Sequence, residues 1–286
     1  MTSLALALVL VAAGAHATWN YLAKTAGGGA TFVWLCAVCE SILMTAVGVA
    51  VLLAGQRPQL GTLLLFMVVS GTLHAVYFVF LQRAYREGEL SLVYPLARGT
   101  GPLLAAILAI VAFGERPGAV ALIGAAVIVA AVISLADPRG LASSRQLDEA
   151  VIYALLTGVC IAGYTLWDKQ AVDTHDLSPI IYFWGGSITR ATLLSPVALR
   201  RREQARRIWK LQRSKVIGVA VLSSIAYILV LYALQLAPVT YVAPAREVSV
   251  LIGAVLGVQL LSEQDARRRL VCAAAIVAGI AALAIG

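Results

Sequence analysis

The sequence predicts an all-α integral membrane protein of ten transmembrane helices, arranged as two inverted five-helix repeats around a central cavity. Three observations predict this. The 286 residues are 61% hydrophobic and 13% charged, with a mean hydropathy of +0.90, too apolar for a soluble domain of this size. The apolar stretches run for about 20 residues, which suits helices crossing a hydrocarbon core of roughly 30 Å, and they lack the alternation of a membrane barrel. Finally, polar and aromatic positions in the first half recur in the second.

Ten spans fit, at roughly 3 to 23, 31 to 54, 62 to 86, 90 to 113, 117 to 136, 149 to 170, 178 to 199, 214 to 236, 240 to 261 and 266 to 285. The connections are short and carry breakers, such as Gly27-Gly28-Gly29, Gln56-Arg57-Pro58 and Asp137-Pro138-Arg139-Gly140. The first span has no basic leader and contains His16, Trp19 and Asn20, so it reads as a membrane helix rather than a cleaved signal. The net charge of +8 comes almost wholly from one connection, Arg200 to Lys215, which alone carries +7. Topology explains that concentration better than nucleic-acid binding does, and no nucleic-acid partner is expected. Connections after odd-numbered spans hold 16 Lys and Arg, and those after even-numbered spans hold three, Arg57, Arg116 and Lys169. The positive-inside rule then puts the odd connections in the cytoplasm and both termini outside.

The repetition takes two registers. A shift of 148 places His16 on Tyr164, Trp19 on Trp167, Asn20 on Asp168, Arg98 on Arg246 and Glu115 on Glu263. A shift of 150 places Phe32 on Tyr182, Trp34 on Trp184, Glu40 on Arg190 and Tyr77 on Tyr227. Insertions of one or two residues reconcile the two registers. Residues 1–140 and 141–286 are therefore the expected repeats, and five crossings per repeat force the copies into opposite orientations.

One stretch stands out, Tyr94-Pro95-Leu96-Ala97-Arg98-Gly99-Thr100-Gly101-Pro102, with an echo at Val242-Ala243-Pro244-Ala245-Arg246-Glu247. An arginine at bilayer depth costs about 3 to more than 10 kcal/mol unless it meets a cavity or a partner. Pro95, Gly99, Gly101 and Pro244 are expected to distort the helices there. Irregular backbone at that depth must line a cavity or be buried in protein, so Arg98 and Arg246 are expected to face each other across a substrate site.

Further site candidates follow from helical spacing. His16, Trp19 and Asn20 share one face of the first span, and Tyr164, Trp167 and Asp168 share one face of the sixth. Each face either lines the cavity or serves helix–helix hydrogen bonding, and Asp168 alternatively sits at the membrane surface beside Lys169. His74 and Tyr77 pair at i, i+3 in the third span, where the imidazole faces the substrate, couples transport to protons, or is satisfied by a neighbouring helix. Glu40 and Arg190 read as a structural salt bridge. Glu247 is left between pairing with an arginine and lying in the cavity. Glu115 and Glu263 read as caps at the starts of the fifth and tenth spans.

No metal or cofactor is expected. Cys36-x-x-Cys39 has no second pair and no nearby histidine, and all four cysteines read as buried thiols. No ATP-binding or phosphate-binding glycine motif is present, and neither H-E-x-x-H nor an opposed pair of intramembrane aspartates occurs. Ser70 and His74, one turn apart, are weak support for an intramembrane enzyme, the reading from a different class.

The His16-Ala-Thr-Trp-Asn20 stretch, the Gly114-Glu115 and Ser262-Glu263 span ends and the two five-helix halves resemble the drug/metabolite transporter superfamily. Within it the chain is similar to the EamA-type bacterial exporters, which include amino-acid exporters. The resemblance implies alternating access by two pseudo-symmetric halves, with spans 1, 3, 4, 6, 8 and 9 lining the cavity and spans 5 and 10 peripheral. It also implies a multi-pass protein of the bacterial inner membrane. Small multidrug relatives use a glutamate in the first helix to bind cations, whereas this chain has His16 and Asn20 there. The second half departs from the first at Cys272, opposite Gly124, and lacks the Gly-Thr-Gly-Pro run after its arginine.

Two arginines favour a carboxylate or other anionic group, and Trp19, Tyr77, Tyr94, Tyr164 and Trp167 favour an apolar or aromatic side chain. The expected function is secondary export of a small metabolite by a monomer in the lipid bilayer. An amino acid is the leading substrate, aromatic ones among them, and another small organic anion is the alternative.

Overall fold

The computed structural model describes residues 3–54, 59–113, 118–136, 145–236, 242, 245–263 and 265–285, all within or between helices and with no strand among them. The helices are α1 (Ser3–Ala26), α2 (Gly29–Leu53), α3 (Leu60–Glu87), α4 (Leu90–Phe113), α5 (Ala119–Ala136), α6 (Arg145–Lys169), α7 (Pro179–Arg200), α8 (Arg202–Leu236), α9 (Val248–Leu260) and α10 (Ala266–Ile285). A π-helical turn, Gln170–Thr174, extends α6. Five stretches are long and apolar enough to cross a bilayer: α1, α2, α3, Glu149–Val172 and Arg202–Ala233. α5 and α9 are apolar but shorter as described. Many large apolar side chains, such as Ile42, Leu65, Ile123 and Val271, are exposed on the outside of the bundle. That surface suits lipid, and the chain is a multi-pass membrane protein.

The helix contacts have a regular pattern. α1 packs on α8 and α3 on α6; α2 packs on α7 and α5 on α10; α4 packs on α6 and α1 on α9. Exchanging each helix for the one five places along carries each of these pairs onto another or onto itself. Two hydrogen bonds follow the same exchange: Trp34 donates its indole N–H to Ser195 at 3.0 Å, and Trp184 donates to Thr45 at 3.3 Å. Both acceptors and both donors are related by the shift of 150. The change from 148 to 150 falls between Asp168 and Tyr182, where the π-helical turn and the loop before α7 take up the extra residues.

Two expectations are corrected. Pro95, Gly99 and Gly101 do not break α4, which is helical throughout Leu90–Phe113. Residues 91–101 are buried on all sides, and neighbouring helices hold a proline-containing helix together at membrane depth. The glycines instead permit close approach. A Cβ on Gly99 would lie 3.0 Å from Ile276 of α10, and one on Gly101 would lie 2.6 Å from Ile161 of α6. Gly158 of α6 returns the contact, 2.6 Å from Thr100 Cβ. Pro244, Glu115 and the Gln56–Pro58 and Asp137–Gly140 breakers lie outside the described residues. The second correction concerns the basic run from Arg200 to Lys215, which is helical rather than a loop apart from Arg201 and the non-helical backbone at Gln212. It has no Gly or Pro, and Gln, Ala, Arg and Lys are good helix formers.

The ends of the helices are tied by charge. Lys24 donates to the Tyr85 and Gly88 carbonyls at 2.6 and 2.5 Å, completing the last turn of α3. Glu263 caps α4 rather than the helix that follows it, accepting from the Leu90 and Ser91 amides at 2.6 and 2.8 Å. Positive φ at Ser262 (52°) and Asp265 (56°) folds the connection sharply at that point. Arg269 bonds Ser91 Oγ at 2.7 Å and pairs with Glu89.

Gly158→Leu is expected to push α4 from α6 at a cost of roughly 1–3 kcal/mol, as overpacking does. A lowered thermal midpoint for the purified protein checks this, and an unchanged midpoint contradicts the close approach.

Candidate functional site

A narrow cavity lies among α1, α2, α3, α6, α7 and α8, lined by His16, Trp19, Glu40, Ser70, His74, Tyr77, Phe78, Tyr164, Tyr182, Phe183, Gly186, Arg190, Ser223 and Tyr227. Its volume is about 40 Å³, enough for a few waters and too small for an amino acid.

One wall is an ion pair. Arg190 donates to Glu40 Oε2 at 2.5 Å, and Ser223 Oγ donates to Glu40 Oε1 at 2.6 Å. The guanidinium also stands 5.9 and 5.5 Å from the ring centres of Phe78 and Phe183, within cation–π range. Both charged side chains are buried. Glu40 and Arg190 are each other's equivalents under the shift of 150, so the position meets its own repeat. Like charges there would repel; opposite charges neutralise each other. A second void, toward Ala23, Gln82 and Val219, shares Glu40, Phe78 and Arg190 as its wall. The pair therefore separates the two spaces.

Behind the lining residues Ser70, Tyr182 and Tyr227 stands Asp168, near the end of α6. Its carboxylate is buried and accepts from Ser70 at 2.7 Å, from Tyr182 at 2.5 Å and from Tyr227. Three hydroxyls from α3, α7 and α8 thus spread its charge. His74 stacks on Tyr164 at 4.1 Å between centres and meets Tyr227 edge-on at 5.5 Å. Its Nδ1 lies 2.9 Å from the Ser70 carbonyl. A carbonyl only accepts, so Nδ1 carries the proton, and Nε2 faces Asp168 at 4.0 Å.

Of the residues expected at the site, His16, Trp19, His74, Tyr77 and Tyr164 line the cavity. Five do not. Asn20 is buried, bonding the His16 carbonyl at 2.7 Å and the Tyr85 hydroxyl at 2.7 Å. Trp167 donates to the Phe66 carbonyl at 3.2 Å. Tyr94 donates to Ser249 at 3.0 Å and lies against Gly253. Arg98 and Arg246 do not face each other across open space. Arg98 grips Glu247 with Nε at 3.0 Å and Nη2 at 2.7 Å, and Arg246 reaches the same carboxylate at 3.3 Å. The physical reason is neutralisation: a buried guanidinium takes the carboxylate within its reach. This cluster forms a second layer, within electrostatic reach of His16, Tyr77 and Tyr164. Glu40, Arg190, Asp168, Tyr182 and Tyr227 take the prominence expected of the arginine pair. Their signal was the repeat itself, since Tyr182, Arg190 and Tyr227 are the repeat partners of Phe32, Glu40 and Tyr77.

The four cysteines are free, with Cys36, Cys160 and Cys272 buried and Cys39 half-buried. Among the described residues, no cluster of His, Cys, Asp or Glu could hold a metal ion.

Asp168→Ala is expected to strand three hydroxyls, each costing about 1–3 kcal/mol if left buried without a partner. Its thermal midpoint should fall below that of Asp168→Asn, which keeps one acceptor oxygen. Equal midpoints for the two variants would count against the hydroxyl cage.

Residues 149–285 match the model of the EamA-like transporter family. No curated protein matches the chain. A solved structure titled "Crystal structure of protein" is similar, with a TM-score of 0.61 and 17% identity over 98% of each chain. That likeness is one of fold.

Proposed function

We propose that the chain is a secondary transporter that exports an amino acid, aromatic ones among its substrates, by alternating access. The observation that carries this reading is the aromatic cavity with opposite charges in its walls. Arg190 offers a guanidinium to a carboxylate, Glu40 offers a carboxylate to an ammonium, Asp168 stands behind the Ser70, Tyr182 and Tyr227 hydroxyls of the lining, and the side chains of seven Trp, Tyr and Phe residues surround the space. The cavity and its second layer together hold Arg98, Arg190 and Arg246 against Glu40, Asp168 and Glu247. This balance of charge suits a zwitterion better than an organic anion.

Two inverted repeats, residues 1–140 and 141–286, would rock about the Glu40–Arg190 contact. The exchange of helix contacts and the reciprocal Trp34–Ser195 and Trp184–Thr45 bonds support that reading. A cavity too small for its substrate fits an occluded state. Opening toward the second void would part Glu40 from Arg190 and leave the guanidinium for the substrate carboxylate. Arg98, Arg246, Asn20, Tyr94 and Trp167 would act from behind the cavity wall.

Uptake into proteoliposomes, with a panel of radiolabelled amino acids and organic anions, tests the reading. Arg190→Lys and His74→Phe are expected to lower uptake at least about tenfold while staying folded, the loss of one charge-assisted contact. Normal uptake in both variants would remove the cavity from the mechanism, and conversion of the label without net flux would favour an enzyme.

We further propose that the connections after odd-numbered helices are cytoplasmic, in the bacterial inner membrane, with both termini outside. In a background without native cysteines, Asp176→Cys should react with an impermeant maleimide on intact cells, and Arg201→Cys only after permeabilisation. The reverse labelling would invert the topology.

A further inference from the structure

The run from Arg200 to Lys215 carries eight basic side chains and one acid, Glu203. Most of it forms the first turns of α8, set off from the rest of that helix by non-helical backbone at Gln212 (φ −135°, ψ 20°). One face of the segment is docked on the protein. Ile208 is buried beside Gly28 and Phe32, Gln204 accepts from Thr31 at 3.3 Å, and Lys215 donates to the Thr25 carbonyl at 2.8 Å.

The opposite face is free. Arg202, Arg206 and Lys210 recur every fourth residue and so share one side of the helix, with Arg207 beside them. All four are exposed, and among the described residues none pairs with a carboxylate. Like charges at this spacing weaken a helix in water by a few tenths of a kcal/mol per pair, and an external anion would relieve that repulsion. Two apolar side chains flank it on the helix surface, Trp209 at 42% exposure and Leu211 at 67%. A soluble polyanion would satisfy the arginines and leave Trp209 and Leu211 in water. A membrane surface satisfies both. Basic residues meet lipid phosphates, while tryptophan and leucine enter the boundary between headgroups and acyl chains.

We infer that residues 202–211 are an interfacial helix that binds the headgroups of anionic phospholipids. It joins the membrane-crossing part of α8 through the break at Gln212. It rests on the α1–α2 connection through Ile208, so lipid bound there bears directly on the ends of two cavity-forming helices.

Full-length protein in phosphatidylcholine vesicles tests this, with a fraction of brominated lipid supplied either as phosphatidylglycerol or as phosphatidylcholine. The Trp209 signal is the difference in fluorescence between wild type and Trp209→Phe. Brominated phosphatidylglycerol is expected to quench it with at least about tenfold tighter apparent association, given the attraction of each basic residue to an anionic surface. Added salt should erode that preference in the wild type. The combined variant Arg202→Gln, Arg206→Gln, Arg207→Gln and Lys210→Gln should abolish it. Equal quenching by the two lipids, no quenching by either, or an unchanged preference in the combined variant would overturn the inference.

Discussion

A charge inside an apolar bundle must be neutralised chiefly by the protein itself, because lipid headgroups do not reach it. Arg98, Arg190, Glu40, Asp168, Glu247 and Glu263 are all buried, and each meets this constraint by reaching across the bundle. Arg98 of α4 is held by Glu247, next to α9, and Arg190 of α7 by Glu40 of α2. Asp168 of α6 takes hydroxyls from α3, α7 and α8, and Glu263 takes two backbone amides at the start of α4. All of these contacts except the two tyrosine hydroxyls on Asp168 join residues before 140 to residues after it. The polar groups thus fix how the two halves meet, while apolar packing, non-directional by nature, fills the space around them.

The same constraint gives the cavity its character. The charged groups are satisfied in this arrangement, so on the proposed alternating-access reading a substrate would have to offer replacement partners as the walls separate. A zwitterion can do so at both ends, and breaking either wall without one would leave a buried charge bare. Pairs of this kind are weak sources of stability, but their loss is costly when only one partner is removed.

The number of helices and their approximate boundaries were legible because they rest on composition and spacing. Span length follows from bilayer thickness, and the registers of 148 and 150 follow from matching Trp19 to Trp167 and Trp34 to Trp184 respectively. The pairing of Arg190 with Glu40 was legible too, from their equivalent places in the second and seventh spans, but the partner of Arg98 was not. Arg98 and Arg246 stand out in sequence because proline and glycine surround them, yet local sequence says nothing about which carboxylate lies across the bundle. Glu247, one residue from Arg246, was that carboxylate. Glu40 and Arg190 lack such punctuation, and their place in the cavity depends on α2 crossing α7 at equivalent positions. Asp168 was obscured by its exposed neighbour Lys169; successive residues on a helix face different ways. The proline in α4 misled for a related reason, since propensity describes an isolated helix and α4 is enclosed by α6, α9 and α10.

The claim that opposite charges at one repeat-related position hold the halves together around the cavity is tested most directly by reversing them. Thermal unfolding of the purified protein would be compared for Glu40→Arg, Arg190→Glu and the double exchange. The account predicts that each single reversal lowers the midpoint sharply or prevents folding and that the exchange recovers most of the loss. An exchange no more stable than the two single variants would contradict it.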